Sequence, residues 1–339
     1  MVGMVEKIRN SNLLYQIQLN ILPALHGDCI HLRFGRGEEF YNIVVDSGPH
    51  SFAGRFQDLL NQIEQKKEKV NLLCLSHIDD DHIGGAEKAF GYPLFNKDLV
   101  ERIWINLPEE LKEYEEVIHT YKETTVGTAI DVWKNMLTRG IPFEYRVTAG
   151  HSLSIGPAVV DVLLPNKEKL DAFIKKWEQD AKRPSNQRSF LLTSGGSKDR
   201  NPYNGASITL CVTIGDIKIL LTGDAHREDL ETCCNRYLNG QEISIVKLPH
   251  HGSAANISLE MLKAMNCSHF IISTHETSLR PANKTLDILN EYGMEQGGVC
   301  LFGNYKWERM DSVYEGLKMI PLEGTKESVM VDGIEVYSE

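Results

Sequence analysis

Apolar residues in this chain gather into short, bounded runs, and the runs carry two different periods. Leu14 to Leu22, Cys29 to Phe34 and Tyr41 to Val45 are strand-sized and rich in branched side chains. His26-Gly27-Asp28 and Gly35-Arg36-Gly37 punctuate them, so the opening predicts a three-stranded meander. From Phe52 to Lys66 the period lengthens, and Phe52, Phe56, Leu59, Leu60 and Ile63 share one helix face. Val70 to Leu75 is apolar almost throughout, as a buried strand requires. Further strands are predicted over Arg102 to Ile105, Val159 to Leu164, Ile208 to Val212, Ile217 to Leu221, Ile243 to Leu248 and Phe270 to His275. Helices are predicted over Lys167 to Trp177, Glu228 to Leu238 and Ala282 to Glu291. Two more, rich in Glu and Lys, fall between Phe90 and Phe143, and short strands surround Gly303, Gly324 and Gly333. Such alternation predicts an α/β protein, and the element order either side of Val147 suits two stacked halves.

Polar residues interrupt this pattern at the carboxyl ends of strands, where open α/β sheets place their chemistry. The run Val70 to Leu75 leads to His77-Ile78-Asp79-Asp80-Asp81-His82, and then to Gly84-Gly85, read as a tight turn into a helix. Three adjacent carboxylates between two imidazoles repel one another unless a cation neutralises them. The donor set suits zinc, manganese or iron. The alternative is an acidic helix start, with Asp81 as N-cap and the histidines incidental. Three more strand ends carry Thr222-Gly223-Asp224, Pro249-His250-His251-Gly252-Ser253 and His275. Taken singly, Gly-Asp is also a common turn, and the histidine pair is equally ligand or surface loop. Asp46, before Ser47-Gly48, reads by itself as a turn residue.

As an ordered set these motifs resemble the metallo-β-lactamase superfamily, from about Leu19 to Leu289. The signature there is H-x-H-x-D-H, with Asp79 standing in place of the second histidine. The variant H-x-D-x-D-H, with Gly27-Asp28-Cys29, Asn204-x-x-Ser207 and Pro249-His250-His251-Gly252-Ser253, is similar to the hydrolase domain of ComEC-type competence proteins. The resemblance implies an αββα sandwich of two mixed sheets flanked by helices. It implies one hydrolase domain over residues 12–339, with a helical insertion at about 90–143 and a polar loop insertion at about 166–203. His77 and Asp79 would hold one metal, Asp81 and His82 a second, and Asp224 would bridge them. His250, closest to its strand, is the expected further ligand; His251 and His275 would then face substrate or donate a proton. Asp46 would orient a ligand histidine, with Asn204 and Ser207 standing behind the ligands, and Asp80 solvated or outside the ligand set. The histidine that completes the first site in most members is missing after Pro165, and His151 is a conceivable substitute. Both departures harden that site and favour manganese relative to zinc.

Two divalent ions about 3.5–4 Å apart activate a water between them and clamp a phosphoryl group. The resemblance therefore implies a metal-dependent hydrolase, a phosphodiesterase or nuclease, using Asp81 among its catalytic groups. Nucleic acid or a small phosphodiester is the expected substrate, contacted by Arg183, Arg188 and Arg280. Competing readings are a hydrolase of a small ester, lactone or phosphorylated head-group, and an effector or binding module within a larger assembly.

Charge adjusts this picture. The net charge of −11 argues against coating nucleic acid through a broad basic face, although bound cations reverse the sign locally. The basic residues of Ala181 to Arg188 are the local exception. Seven cysteines without paired spacing read as buried thiols of a reducing compartment, the cytoplasm. No apolar run reaches the length of a membrane span, and Met1 to Lys7 lacks a signal peptide's apolar core.

Overall fold

The computed structural model describes residues 15–109, 111, 125–181, 198–277, 279–323 and 328–339. The opening meander is β1 (Gln16–Ile21), β2 (Ile30–Arg36) and β3 (Glu39–Val45), followed by α1 (Ala53–Gln65). Then come β4 (Val70–Leu75), α2 (Asp80–Ala89), β5 (Ile103–Ile105), α3 (Thr125–Arg139) and β6 (Phe143–Glu144). The second half runs β7 (Ser152–Ile155), β8 (Ala158–Leu164), α4 (Lys167–Ala181), α5 (Pro202–Gly205), β9 (Thr209–Ile214) and β10 (Ile217–Leu221). It continues through α6 (Arg227–Cys233), β11 (Ile245–Lys247), α7 (Leu259–Met265), β12 (His269–Ile272), α8 (Asn283–Gln296), β13 (Val299–Gly303) and β14 (Leu317–Pro321). A closing pair, β15 (Val329–Val331) and β16 (Ile334–Tyr337), completes the chain.

These strands build two eight-stranded mixed sheets, ordered β15-β16-β1-β2-β3-β4-β5-β6 and β14-β13-β12-β11-β10-β9-β8-β7. Alternate residues explain the sandwich. In β3, Ile43 and Val45 face the other sheet while Val44 faces the outer helices. In β10, Ile219 and Leu221 face inward and Leu220 outward. Helices α1 to α4 cover one outer face, and α6 to α8 the other, giving the αββα sandwich. The two halves are stacked, with one exception: β16 returns to pair in parallel with β1, so the C-terminal hairpin belongs to the first sheet. Of the two helices expected between Phe90 and Phe143, α3 is described; residues 110 and 112–124 lie outside the described residues. Among the described residues no helix is long and apolar enough to cross a membrane. All seven cysteines are free.

The parallel pairings of β3 with β4 and of β10 with β11 and β12 bring their carboxyl ends to one edge. Gly84 and Gly85 serve this edge in a way the sequence does not announce. Both lie inside α2 instead of forming a turn, and their missing side chains let the helix settle on residues 47–50. A Cβ on Gly85 meets the Ser47 carbonyl oxygen at 2.0 Å. Ser47 Oγ donates to the His82 carbonyl and receives the Ala86 N–H, which locks helix to loop. Gly85→Ala is therefore expected to cost about 3 kcal/mol of stability, the upper range for overpacking. Gly54→Ala, on the exposed face of α1 with nothing within 4 Å, should instead gain a few tenths to about 1 kcal/mol. Urea midpoints of the two variants check both signs.

Candidate metal centre

Seven side chains at or just past strand ends converge at this edge. His77 leaves β4, and Asp79, Asp81 and His82 sit at the start of α2, where Asp79 is the N-cap. Asp224 follows β10, and His250 and His251 follow β11 in a short 3-10 turn, Pro249–Gly252. His77, His82, Asp224 and His251 are buried. His82 Nε2 lies 3.5 Å from Asp224 and 3.9 Å from Asp81. His251 Nε2 lies 3.5 Å from Asp81 and 3.9 Å from Asp224. The His77 and His82 rings stand 4.1 Å apart, and His77 Nε2 is 3.7 Å from Asp79.

Two of the histidines are aimed from behind. His82 Nδ1 donates to Asp46 at 2.7 Å, and Asp46 itself accepts from the Ser76 N–H and hydroxyl. His251 Nδ1 donates to the Ser273 carbonyl at 2.8 Å. Those bonds keep a proton on Nδ1 and turn both Nε2 atoms toward the same space. Asp46, His250 and His251 hold φ of 59°, 51° and 53°, left-handed values that non-glycine residues adopt at a cost.

The donor atoms fit a cation. Nε2 of His77, His82 and His251 and Oδ1 of Asp224 are buried without a hydrogen-bond partner. So many orphaned polar atoms in one place are costly unless something binds them. Asp28, His82, Asp224 and His251 offer ligand atoms within 4.8 Å of one another. Asp28 differs from the other three in that one carboxylate oxygen is ion-paired with buried Lys247, while its Oδ1 is likewise buried without a hydrogen-bond partner.

Electrostatics follow from this packing. Burial opposes charge on His82, but Asp224, Asp46 and Asp81 outweigh it and raise its pKa well above 6.5. Burial likewise opposes charge on His251, and Asp28 and Asp224 lift it to about 9. Burial disfavours the charged forms of Asp81 and Asp224, yet the surrounding histidines pull both below the usual carboxylate range. Cation binding requires neutral imidazoles. Loading chelator-treated protein with manganese at neutral pH should therefore release roughly two protons, from His82 and His251. Calorimetric titration in buffers of different ionisation enthalpy measures the number; no release would show these histidines already neutral. Because its folded pKa is raised, His251 contributes to the stability of chelated protein fully below 6.5, and this is lost as pH climbs through about 9.

The remaining sequence-derived residues are distributed around this cluster. His250 does not point with His251: the two rings are 6.1 Å apart and inclined at 72°. His250 Nε2 is 3.5 Å from Asp224 and receives a hydrogen bond from Arg280. Asn204 lies 3.5 Å from His250 Nδ1, and Ser207 Oγ accepts the Asp224 N–H at 3.2 Å. His275 stands outside the cluster, its ring 6.3 Å from His26, with Nδ1 buried and unpartnered. Asp80 is half-buried and outside the cluster; it turns toward Thr128 of α3, and burial raises its pKa. His151 is elsewhere too, paired with Glu144 at 3.0 Å and packed on Trp104. Arg183 and Arg188 lie outside the described residues. Sequence reasoning gave Asp28 no role beyond its place in the Gly27-Asp28-Cys29 motif, and it missed Lys247, Asp199 and Asn256. For Lys247, its position inside the apolar run Ile245-Val246-Lys247-Leu248 was an available signal.

The chain is similar to known proteins. A family model described as the metallo-beta-lactamase superfamily matches residues 38–274. The chain is 22% identical over 229 residues to ComE operon protein 3 of Bacillus subtilis, a match covering 67% of this chain. It spans only 23% of that relative's length. Among solved structures, the metallo-beta-lactamase fold protein YhfI of Bacillus subtilis is 13% identical, with TM-score 0.43, covering 90% of this chain and 95% of that one. CmlA, a diiron beta-hydroxylase from Streptomyces venezuelae, is 14% identical, with TM-score 0.47, covering 84% and 52%. A family match running from the turn before β3 to the end of β12 takes in nearly every strand end that supplies the cluster, and the chain belongs to the metallo-beta-lactamase superfamily.

Proposed function

We propose that this protein is a hydrolase with two divalent cations, cleaving phosphodiesters, with nucleic acid favoured over a small diester. The observation that carries the substrate class is Arg280. Its guanidinium rests on His250, beside Asp224, at the flank of the unpartnered cluster. A guanidinium there matches the paired oxygens of a phosphate. The competence-type motif set supports nucleic acid among possible diesters, and one copy of the fold fills the whole described chain.

In this reading His77 and Asp79 would hold one cation and Asp81, His82 and His251 the other, with Asp224 a ligand available to both. His251 takes the ligand role expected of His250, since its Nε2 is the buried, unpartnered one. When bound, such cations supply Lewis acidity toward phosphoryl oxygens and a water acidic enough to give a nucleophile near pH 7. The chain's own groups do the rest. Asp46 and the Ser273 carbonyl keep the ligand imidazoles oriented. Arg280 receives the non-bridging oxygens. His275, with its free Nδ1, is the group available to hand a proton to the leaving oxygen.

The test is an assay of chelated protein, reconstituted separately with manganese and zinc. Substrates are single-stranded DNA, RNA, bis(4-nitrophenyl) phosphate and the neutral ester 4-nitrophenyl acetate. Cleavage of the phosphodiesters, stronger with manganese, is expected. Turnover of the neutral ester alone would instead support the small-ester hydrolase.

A further inference from the structure

Asp199 belongs to none of the strand-end motifs, yet its side chain is only 5% exposed and lies beside the centre. It accepts hydrogen bonds from Asn204 Nδ2 at 2.7 Å, Asn256 Nδ2 at 3.0 Å and the Asn201 N–H at 2.9 Å. One of its oxygens stands 3.2 Å from His250 Nδ1. The same ring nitrogen faces Asn256 Oδ1 at 2.9 Å. That amide cannot be reversed without loss, because its nitrogen also donates to the Asp224 and Ala225 carbonyls. Nδ1 therefore sees two acceptors and must carry the proton, which leaves Nε2 as a lone pair. Arg280 donates to that lone pair.

The guanidinium is thus held at both ends. Its backbone is fixed by a turn in which the Arg280 N–H donates to Thr277 Oγ1 at 2.9 Å and the Thr277 N–H returns to the Arg280 carbonyl at 2.8 Å. Arg309 ties that turn down through the Thr277 carbonyl at 3.1 Å. Its tip is fixed by His250. Among the described residues no carboxylate pairs with Arg280, in spite of the acidic cluster alongside. Five N–H groups are available on a guanidinium, and His250 engages one end.

We propose that Asp199 is a positioning residue: acting through His250, it sets the Arg280 guanidinium as the receptor for the non-bridging oxygens of a substrate phosphodiester. Preference for anionic over neutral esters then depends on a side chain that touches neither substrate nor cation. This inference rests on the phosphodiester reading above for its substrate, though not for its geometry.

The experiment is a double-mutant cycle read by binding of inorganic phosphate to manganese-loaded protein, with metal content measured for each variant. Asp199→Asn and Arg280→Gln should each weaken phosphate binding by roughly tenfold, the weight of one charge-assisted contact. The double variant should bind no more weakly than Arg280→Gln alone, because the first change acts only through the second residue. Losses that add, or phosphate binding equal in all four proteins, overturn the proposal. If Asp199→Asn fails to fold, His250→Ala replaces it in the same cycle, with the same two criteria. For bis(4-nitrophenyl) phosphate, KM should rise in Asp199→Asn by more than kcat falls. A wild type that cleaves no phosphodiester but shows the non-additive cycle refutes the function and keeps the positioning role. A wild type that cleaves diesters while the cycle is additive does the reverse.

Discussion

Asp224→Ala is expected to lower phosphodiester turnover by ~10³-fold or more while the protein stays folded. Asp224 is the hub of the cluster: its oxygens lie 3.5 Å from His82 Nε2, 3.5 Å from His250 Nε2 and 3.9 Å from His251 Nε2. Removing it takes away the carboxylate that both proposed cation positions share. Metal-ion catalysis supplies several kcal/mol, and each 1.4 kcal/mol is a factor of ten. Folding does not rest on this side chain. The backbone N–H of Asp224 donates to Ser207 Oγ, and β10 pairs with β9 and β11 through main-chain bonds that the substitution leaves alone. The comparison is steady-state cleavage of bis(4-nitrophenyl) phosphate beside a urea unfolding curve. Wild-type turnover in a folded Asp224→Ala protein would remove Asp224 from the reaction, and with it the two-cation reading.

How much of this was legible in sequence depends on the range of each interaction. Val70–Leu75 and Ile217–Leu221 are the strands as read, because a strand buried on both faces is apolar at nearly every position, the partly exposed Asn71 and Lys218 apart. The apolar run predicts a strand to His275, but β12 ends at Ile272. There the chain leaves the ladder to serve the site: the Ser273 carbonyl receives His251, and the Thr274 N–H donates to Asn304. His77 to His82, Asp224 and the histidine pair were legible because each motif sits at the end of a readable strand. Closeness to the strand favours His250 as the inward residue, whereas the buried, unpartnered Nε2 belongs to His251. Two successive left-handed residues send the neighbouring rings in divergent directions, which a strand-end rule does not anticipate. The Gly84-Gly85 pair misled for a related reason. It answers to a close approach by Ser47 and His50, residues at the far end of α1's approach, and no local pattern records such a neighbour. Asp199 was hidden altogether: its partner His250 is 51 residues away, and its own surroundings read as a polar loop.

Lys247→Met is expected to destabilise the protein by about 3–5 kcal/mol, the usual result of stripping one partner from a buried ion pair. Lys247 is 1% exposed inside the sandwich edge, with Nζ on Asp28 and, at 3.3 Å, on the Gly223 carbonyl. Burial disfavours charge on Asp28, and Lys247 more than offsets this, holding the carboxyl below its ordinary range together with His251 and His82. Without the ammonium, Asp28 is a buried carboxylate whose remaining neighbours are imidazoles, with His251 Nδ1 at 3.4 Å. A depressed carboxylate pKa stabilises above the ordinary value near 3.8 and ceases to do so as pH falls through the folded value. In Lys247→Met that margin shrinks, so acid unfolding should begin at higher pH than in wild type. The double variant Asp28→Asn with Lys247→Met, which removes both charges, should recover most of the loss, since two absent charges cost less than one unpaired. Urea midpoints at pH 7 for the two single variants and the double measure the coupling. A Lys247→Met protein within about 1 kcal/mol of wild type would mean that Asp28 is neutralised by something other than Lys247. Asp28 would then join His82, Asp224 and His251 as a ligand on equal terms.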